Sequence, residues 1–296
     1  MQNPQKHLDK FKTYFSTALG AEVVIQHFEM LRKSTREAPW RFDLLIDGEP
    51  RSFVFRMHTR TSAREYKVLE ALQDVQVPTP HVYGLDKKGK TFGQPCYFMD
   101  YIEGESLLKP LLAGETWAEE LYIDSTIRLF TLPEETLANL PAWVEHSSAE
   151  DLLDHAYQKL KQFNDLVARR VYQELKLNVP PLPEIRFSNG DLYPDNFIVR
   201  DRQLVGVIDF ANASYGDPLF EFMLPMFIHR DLRGRGLEER FCARIGIQSG
   251  NLDWYHVLEY YDLWGFLAGT KDDFVGHTAE SIRNSLADWL KKGKLV

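Results

Sequence analysis

Between Asn189 and Phe210 the chain carries three oxygen-bearing side chains at intervals that narrow what this segment can fold into. Asn189-Gly190-Asp191-Leu192-Tyr193-Pro194-Asp195-Asn196 leads into Phe197-Ile198-Val199, and the run Leu204 to Ile208 follows before Asp209. Both apolar runs are β-rich. Arg200-Asp201-Arg202-Gln203 separates them, which predicts a hairpin with a four-residue connection. Asn196 then stands where the loop enters the first strand and Asp209 where the second ends. Paired strands bring their outer ends together, so both side chains are expected within reach of one cation. Asp and Asn are ordinary turn formers, and that accounts for any one of the three alone. Three of them around one hairpin predict a site.

The residue types fit one chemistry. Phosphoryl transfer needs a carboxylate that orients the acceptor and takes its proton, together with oxygen ligands that hold Mg²⁺ on the phosphates. Asp191 suits the first task. Asn196 and Asp209 suit the second, because Mg²⁺ prefers hard oxygen ligands and keeps room for phosphate and water. Beyond the hairpin, Gly216-Asp217-Pro218 predicts a helix start, with Asp217 as N-cap and Pro218 at the first helical position. Asp217 is therefore read as structural.

This stretch resembles the catalytic loop and metal-binding strand of the aminoglycoside phosphotransferase family, which shares the protein-kinase-like fold with the choline kinases. The family pattern is a His-Gly-Asp-Leu…Asn loop, an Ile-Asp-Phe/Trp strand end and a Gly-Asp-Pro turn. The resemblance implies a two-lobed α+β, protein-kinase-like fold. Residues 1–104 would form a small antiparallel sheet lobe that holds the nucleotide and ends in a hinge. Residues 105–296 would form a larger, mainly helical lobe with the catalytic loop and acceptor site. It also implies ATP as phosphoryl donor, with GTP as the alternative, and Mg²⁺.

The N-terminal third can be read as that nucleotide lobe. Asp47-Gly48 is a strong turn dipeptide between Leu44-Leu45-Ile46 and the strand Arg51 to Arg56. The run Ala63 to Leu72 repeats Val68, Leu69 and Leu72 at helical spacing and stops before Pro78 and Pro80. A strand cation facing a helix carboxylate is how kinase-like lobes hold phosphates. Arg56 and Glu65 fit those places, with Arg64-Glu65-Tyr66 resembling the family's helix opening. Cys96 to Gly104 resembles the hinge between lobes. The resemblance implies that the Asp100 carbonyl and the Ile102 N–H meet the nucleobase, with Met99 lining its pocket.

Two departures from the family pattern stand out. Its His before Gly-Asp is Asn189 here, which can both donate and accept in a bracing role. The stretch Glu29 to Phe42, where a phosphate-covering hairpin belongs, holds no glycine, and Lys33-Ser34-Thr35-Arg36 offers hydroxyls and charge instead. Together they favour, as the alternative, a kinase-like binding or regulatory protein without catalysis. A true protein kinase is disfavoured: a helix begins within about a dozen residues of Asp209, which leaves no long peptide-docking segment.

A chain of 296 residues can build two packed lobes. No apolar run approaches bilayer length, and the polar, amphipathic N-terminus (Leu8, Phe11, Phe15, Ala18) lacks a secretory signal's apolar core. Cys96 and Cys242 have no metal-site or redox spacing. A cytoplasmic protein with reduced thiols is expected. Residues 1–100 carry a net charge of +3 and residues 101–296 one of −11. That division suits an anionic nucleotide and a neutral or cationic small-molecule acceptor, and disfavours nucleic acid. Membrane partners are not expected, and nothing in the pattern specifies an oligomeric state. Ser148-Ala149-Glu150-Asp151 predicts a capping box opening one helix that runs through Leu152, Ala156, Leu160, Phe163, Val167 and Val171. The aromatic run Trp254 to Phe266 reads as a core helix that could also wall the acceptor site. The charged run His229 to Arg235 reads either as a solvated loop or as an acceptor contact.

Overall fold

The structure is a computed structural model that describes residues 7–31, 39–73, 75–248, 251–270 and 272–293. The chain is α+β and divides into two compact units. Met1–Leu107, Leu132–Val144 and Asp195–Ala213 form one; Leu108–Thr131, Glu145–Pro194 and Ser214–Val296 form the other.

The first unit is built on a five-stranded antiparallel sheet. Its spatial order is Val23–Met30, Trp40–Ile46, Glu49–Met57, Cys96–Asp100 and Val82–Asp86. Asp47 and Gly48 take φ values of 50° and 93°, the left-handed backbone that a two-residue hairpin turn requires. The helix Leu8–Leu19 covers one face with Phe11 and Phe15, both fully buried. Their rings lie 4.6 Å from Phe42 and 4.7 Å from Phe98 respectively. Burying each such ring contributes about 1.5–3 kcal/mol. The helix Ser62–Ala71 buries Glu65, Val68 and Leu69, so one carboxylate shares its inward stripe with apolar groups.

The hairpin foreseen around residue 201 belongs to this unit, with strands Phe197–Arg200 and Gln203–Val207 and the short strand Glu105–Ser106 alongside. Its connection is two residues rather than four. Arg200 pairs with Gln203, and Asp201 and Arg202 take φ values of 52° and 60°. The ladder runs past the apolar residues because the exposed Arg200 and Gln203 can pair their backbones while their side chains stay in water.

The second unit is mainly helical, with a three-stranded sheet of Glu145–Ser147, Ser214–Gly216 and Arg186–Ser188. The Ser148 capping box forms, but the single helix expected after it is two. Ala149–Leu160 is followed by a break at Asn164 (φ 51°), and Asp165 then caps Leu166–Leu177, accepting from the N–H groups of Val167 (2.7 Å) and Ala168 (3.3 Å). Asn tolerates left-handed φ and Asp is a strong cap, and together they outcompete continuation of the helix. Phe163, expected in the core, falls in the break and is 48% exposed. Helix Leu252–Leu267 buries Trp254, Tyr255, Tyr260, Tyr261 and Trp264, while Phe266 stays exposed. Trp254 Nε1 donates to the Leu175 carbonyl (3.0 Å) and Tyr261 Oη to that of Ala168 (2.9 Å), so these aromatic tips are satisfied inside the core.

Candidate active site

A cleft of about 240 Å³ opens in the first unit. Arg56, Met99, Asp100, Ile102, Asn196 and Asp209 all line it, so six of the residues singled out in the sequence meet there. Glu65 stands behind them, fully buried, with a carboxylate oxygen 3.4 Å from Arg56. It also accepts the Phe210 N–H at 3.2 Å. Arg56 in turn lies 3.8 Å from Asp209. One buried carboxylate thus fixes both the strand cation and the corner that carries Asp209. A buried charge is tolerated only when paired and hydrogen-bonded in this way.

Local backbone chemistry sets the corner. Asp209 follows the second hairpin strand with φ 60°, a conformation in which Asp is several-fold enriched. Ile208 N–H donates to the Asn196 carbonyl at 3.0 Å, which joins the two outer ends of the hairpin. Among the described residues no group of three or more His, Cys, Asp or Glu is placed to hold a metal ion. Asn196 and Asp209 offer one amide oxygen and one carboxylate instead. Such a sparse hard-oxygen pair suits an ion that keeps water and phosphate as its remaining ligands.

At the other end of the cleft, the Asp100 side chain is engaged by Arg51 at 2.8 Å and by the Tyr83 hydroxyl. Its N–H donates to the His81 carbonyl and that of Tyr101 to Ser52, both at 3.0 Å. Gly206 leaves room for Ile102, whose side chain a Cβ at 206 would overlap. Asp195 also lines the cleft and accepts a hydrogen bond from Ser106 Oγ. Sequence reading passed over this residue, although its position beside Asn196 was a usable signal. The Lys33 to Arg36 segment lies outside the described residues.

Asp191 belongs to the second unit. It follows the strand Arg186–Ser188, which pairs with Ser214–Gly216. Asn189 is fully buried and braces the loop: its Nδ2 donates to the Asp191 carbonyl (3.0 Å) and its Oδ1 accepts the Asp191 N–H (3.3 Å). Tyr122 Oη donates to the Leu192 carbonyl (2.8 Å), with the Phe222 carbonyl 3.4 Å away. Burial, and then the charge of Asp191, pushes that phenol well above its usual pKa, so it stays a donor. Tyr193 Oη and His229 Nε2 lie 2.5 Å apart. Asp217 caps helix Pro218–Ile228 and accepts the Tyr255 hydroxyl at 2.8 Å, a structural role. In the charged run after that helix, Asp231 is exposed while two arginines are engaged by main-chain carbonyls. Arg233 Nε donates to the Met226 carbonyl (2.9 Å), and Arg235 donates to those of Leu111 (3.0 Å) and Leu112 (3.2 Å).

An antiparallel sheet unit with a buried strand–helix ion pair, and a helical unit carrying an Asp-bearing loop, define a protein-kinase-like fold. The family model "Phosphotransferase enzyme family" matches residues 43–257, and the chain belongs to that family. Its fold is shared by a crystal structure from Ralstonia eutropha JMP134 assigned to the aminoglycoside phosphotransferases. That match has a TM-score of 0.75 and 16% identity, and covers 96% of this chain and 98% of the other. It is shared by the aminoglycoside phosphotransferase APH(4)-Ia in ternary complex with AMP-PNP and hygromycin B (TM-score 0.67, 15% identity, 95% and 98% covered). It is also shared by a choline/ethanolamine kinase family protein from Mesorhizobium loti (TM-score 0.61, 14% identity, 90% and 89% covered). Among curated proteins, mouse Acyl-CoA dehydrogenase family member 10 is 23% identical over 237 residues. The match covers 70% of this chain and only 22% of that relative. No helix among the described residues is long and apolar enough to cross a membrane.

Proposed function

We propose that the chain transfers the γ-phosphoryl group of ATP to a hydroxyl of a small molecule. The observation that carries this reading is the buried Arg56–Glu65 pair tied to the Asp209–Phe210 corner, beside Asn196, in one cleft. Arg56 neutralises phosphate charge and Glu65 holds it in place. Asn196 and Asp209 fit Mg²⁺, which when bound would neutralise charge on the phosphate oxygens. The nucleobase lies along Met99 to Ile102. A carbonyl at Asp100 followed by an N–H at Ile102 complements the donor and acceptor edge of adenine better than that of guanine, which favours ATP over GTP. Asp195, oriented by Ser106, is suited to accept hydroxyl groups of the nucleotide's sugar.

Asp191 acts as the base in this reading: it orients the acceptor hydroxyl and takes its proton as the bond to phosphorus forms. The bracing by Asn189 supports a loop that functions without the family's histidine, and so supports catalysis over a purely regulatory role. The net charge of −11 over residues 101–296 supports a neutral or cationic acceptor, such as an aminoglycoside, amino alcohol or sugar. The two buried free thiols support a reducing, cytoplasmic compartment. An ATP-consumption screen over those three acceptor classes, with Asp191→Ala as control, tests the proposal. Acceptor-dependent turnover in the parent that falls by at least about 10²-fold in the variant is the expected result. Equal turnover in both removes Asp191 as the base.

A further inference from the structure

Beneath the Asp191 loop lies a carboxyl group to which the reading above assigns no task. Glu221 sits in the first turn of helix Pro218–Ile228. The residue is half-buried, and its carboxyl lies against Ser188 and Gly216. Glu221 Oε2 shares a hydrogen bond with Ser188 Oγ. Ser188, fully buried, closes the strand that leads into the loop, and its Oγ also accepts the Gly190 N–H at 2.8 Å. A hydroxyl has one proton to donate and two lone pairs that accept, so Ser188 can serve both partners at once. Gly216 leaves room for the carboxyl, since a Cβ there would overlap Glu221 Oε1.

We propose that Glu221 is a positioning residue for Asp191, acting through the Ser188 hydroxyl to fix the start of the loop that carries the base. This rests on the reading of Asp191 as the base. The charged groups acting on Glu221 are Asp217 on its own helix and Asp191 on the loop, both acidic, and Tyr122 from helix Thr116–Phe130 lies close as well. Asp217 is compensated by two backbone N–H groups and Tyr255. Burial, opposed by the Ser188 hydrogen bond, pushes the Glu221 carboxyl up to about 8. At neutral pH the bridge is therefore made by an uncharged acid, and no second negative charge presses on Asp191. Ionisation of Glu221 leaves it an acceptor for Ser188 but adds that charge, which loosens the loop through repulsion and desolvation.

The test compares Glu221→Ala, Glu221→Gln and Asp191→Ala with the parent in steady-state phosphoryl transfer, across pH 6 to about 9. The acceptor is the best one from the screen, or water when no acceptor is added. Glu221→Ala should lower kcat on the order of 10²-fold with the nucleotide KM unchanged, the scale of a small misplacement of a catalytic group. Glu221→Gln keeps an acceptor for Ser188 but cannot ionise. It should restore most of kcat and abolish the fall in kcat that the parent shows as pH rises through about 8. Full activity in Glu221→Ala, or a parent-like alkaline fall in Glu221→Gln, overturns the proposal. Parent-like turnover in Asp191→Ala overturns the base assignment instead, so the two failures are distinguishable. Should Glu221→Ala fail to fold, the Glu221→Gln pH profile decides alone. Melting curves add a readout that needs no acceptor: the stability of Glu221→Gln relative to the parent should improve as pH rises from 5 towards about 8. A difference that does not vary with pH also counts against the proposal.

Discussion

The cleft of the sheet unit and the Asp191 loop of the helical unit hold their polar groups in different ways. In the cleft, charge fixes charge: Glu65 pairs with Arg56, and Arg56 reaches towards Asp209. In the loop the restraints are mostly hydrogen bonds between uncharged groups, from Tyr122, Ser188 and Asn189, with Glu221 held as a neutral acid. In the proposed reading the cleft is a nucleotide site, which must meet a concentrated negative charge and needs fixed cations. A proton-accepting carboxylate needs its negative charge undisturbed, which uncharged neighbours allow.

That contrast breaks most visibly in activity. Asp191→Ala should reduce turnover by about 10²–10⁴-fold, the usual share of a general base, while the melting temperature still rises on adding ATP and Mg²⁺. A loss of the nucleotide shift in that variant would show that the two regions are not independent. Stability gives the next largest effect. Glu65→Ala removes the buried partner of Arg56 and should cost about 3–5 kcal/mol, measured by denaturant unfolding. A cost under about 1 kcal/mol would mean the pair behaves like a surface ion pair.

The loop should respond less, since its restraints are shared. Tyr122→Phe leaves the Leu192 carbonyl without this donor and should cost about 1–3 kcal/mol, with kcat falling and nucleotide affinity unchanged. A pH term acts on the same loop. Glu221 is raised from 4.5 to about 8 in the folded chain. Its stabilising contribution is complete below the unfolded value and declines as pH rises towards the folded one. The decline is about 1.4 kcal/mol for each pH unit in that window. Glu221→Gln should remove that slope.

The same contrast explains what could be read from the sequence. The cleft residues sit on strands and helix turns whose periodicity is local, so Arg56, Glu65, Asn196 and Asp209 could be picked from spacing and family resemblance. Gly216-Asp217-Pro218 was equally legible, because a cap and a proline act within one turn. The loop's supports were not. Tyr122 and Leu192 are 70 residues apart, and Ser188 and Glu221 are 33 apart. No local period connects such pairs, and a buried tyrosine or glutamate on a helix looks like any core or surface position until the partner is in place. Helix Ala149–Leu160 failed for the opposite reason. Its apolar spacing continued smoothly across a break that Asn164 and Asp165 impose through backbone preference alone.

The most direct measurement is the melting temperature of the parent and of Asp209→Asn with ATP, each with and without Mg²⁺. The expected result is a metal-dependent rise in the parent that is lost or strongly reduced in the variant. An equal, metal-dependent rise in both proteins would contradict a cleft in which Asp209 helps to hold the ion on the nucleotide.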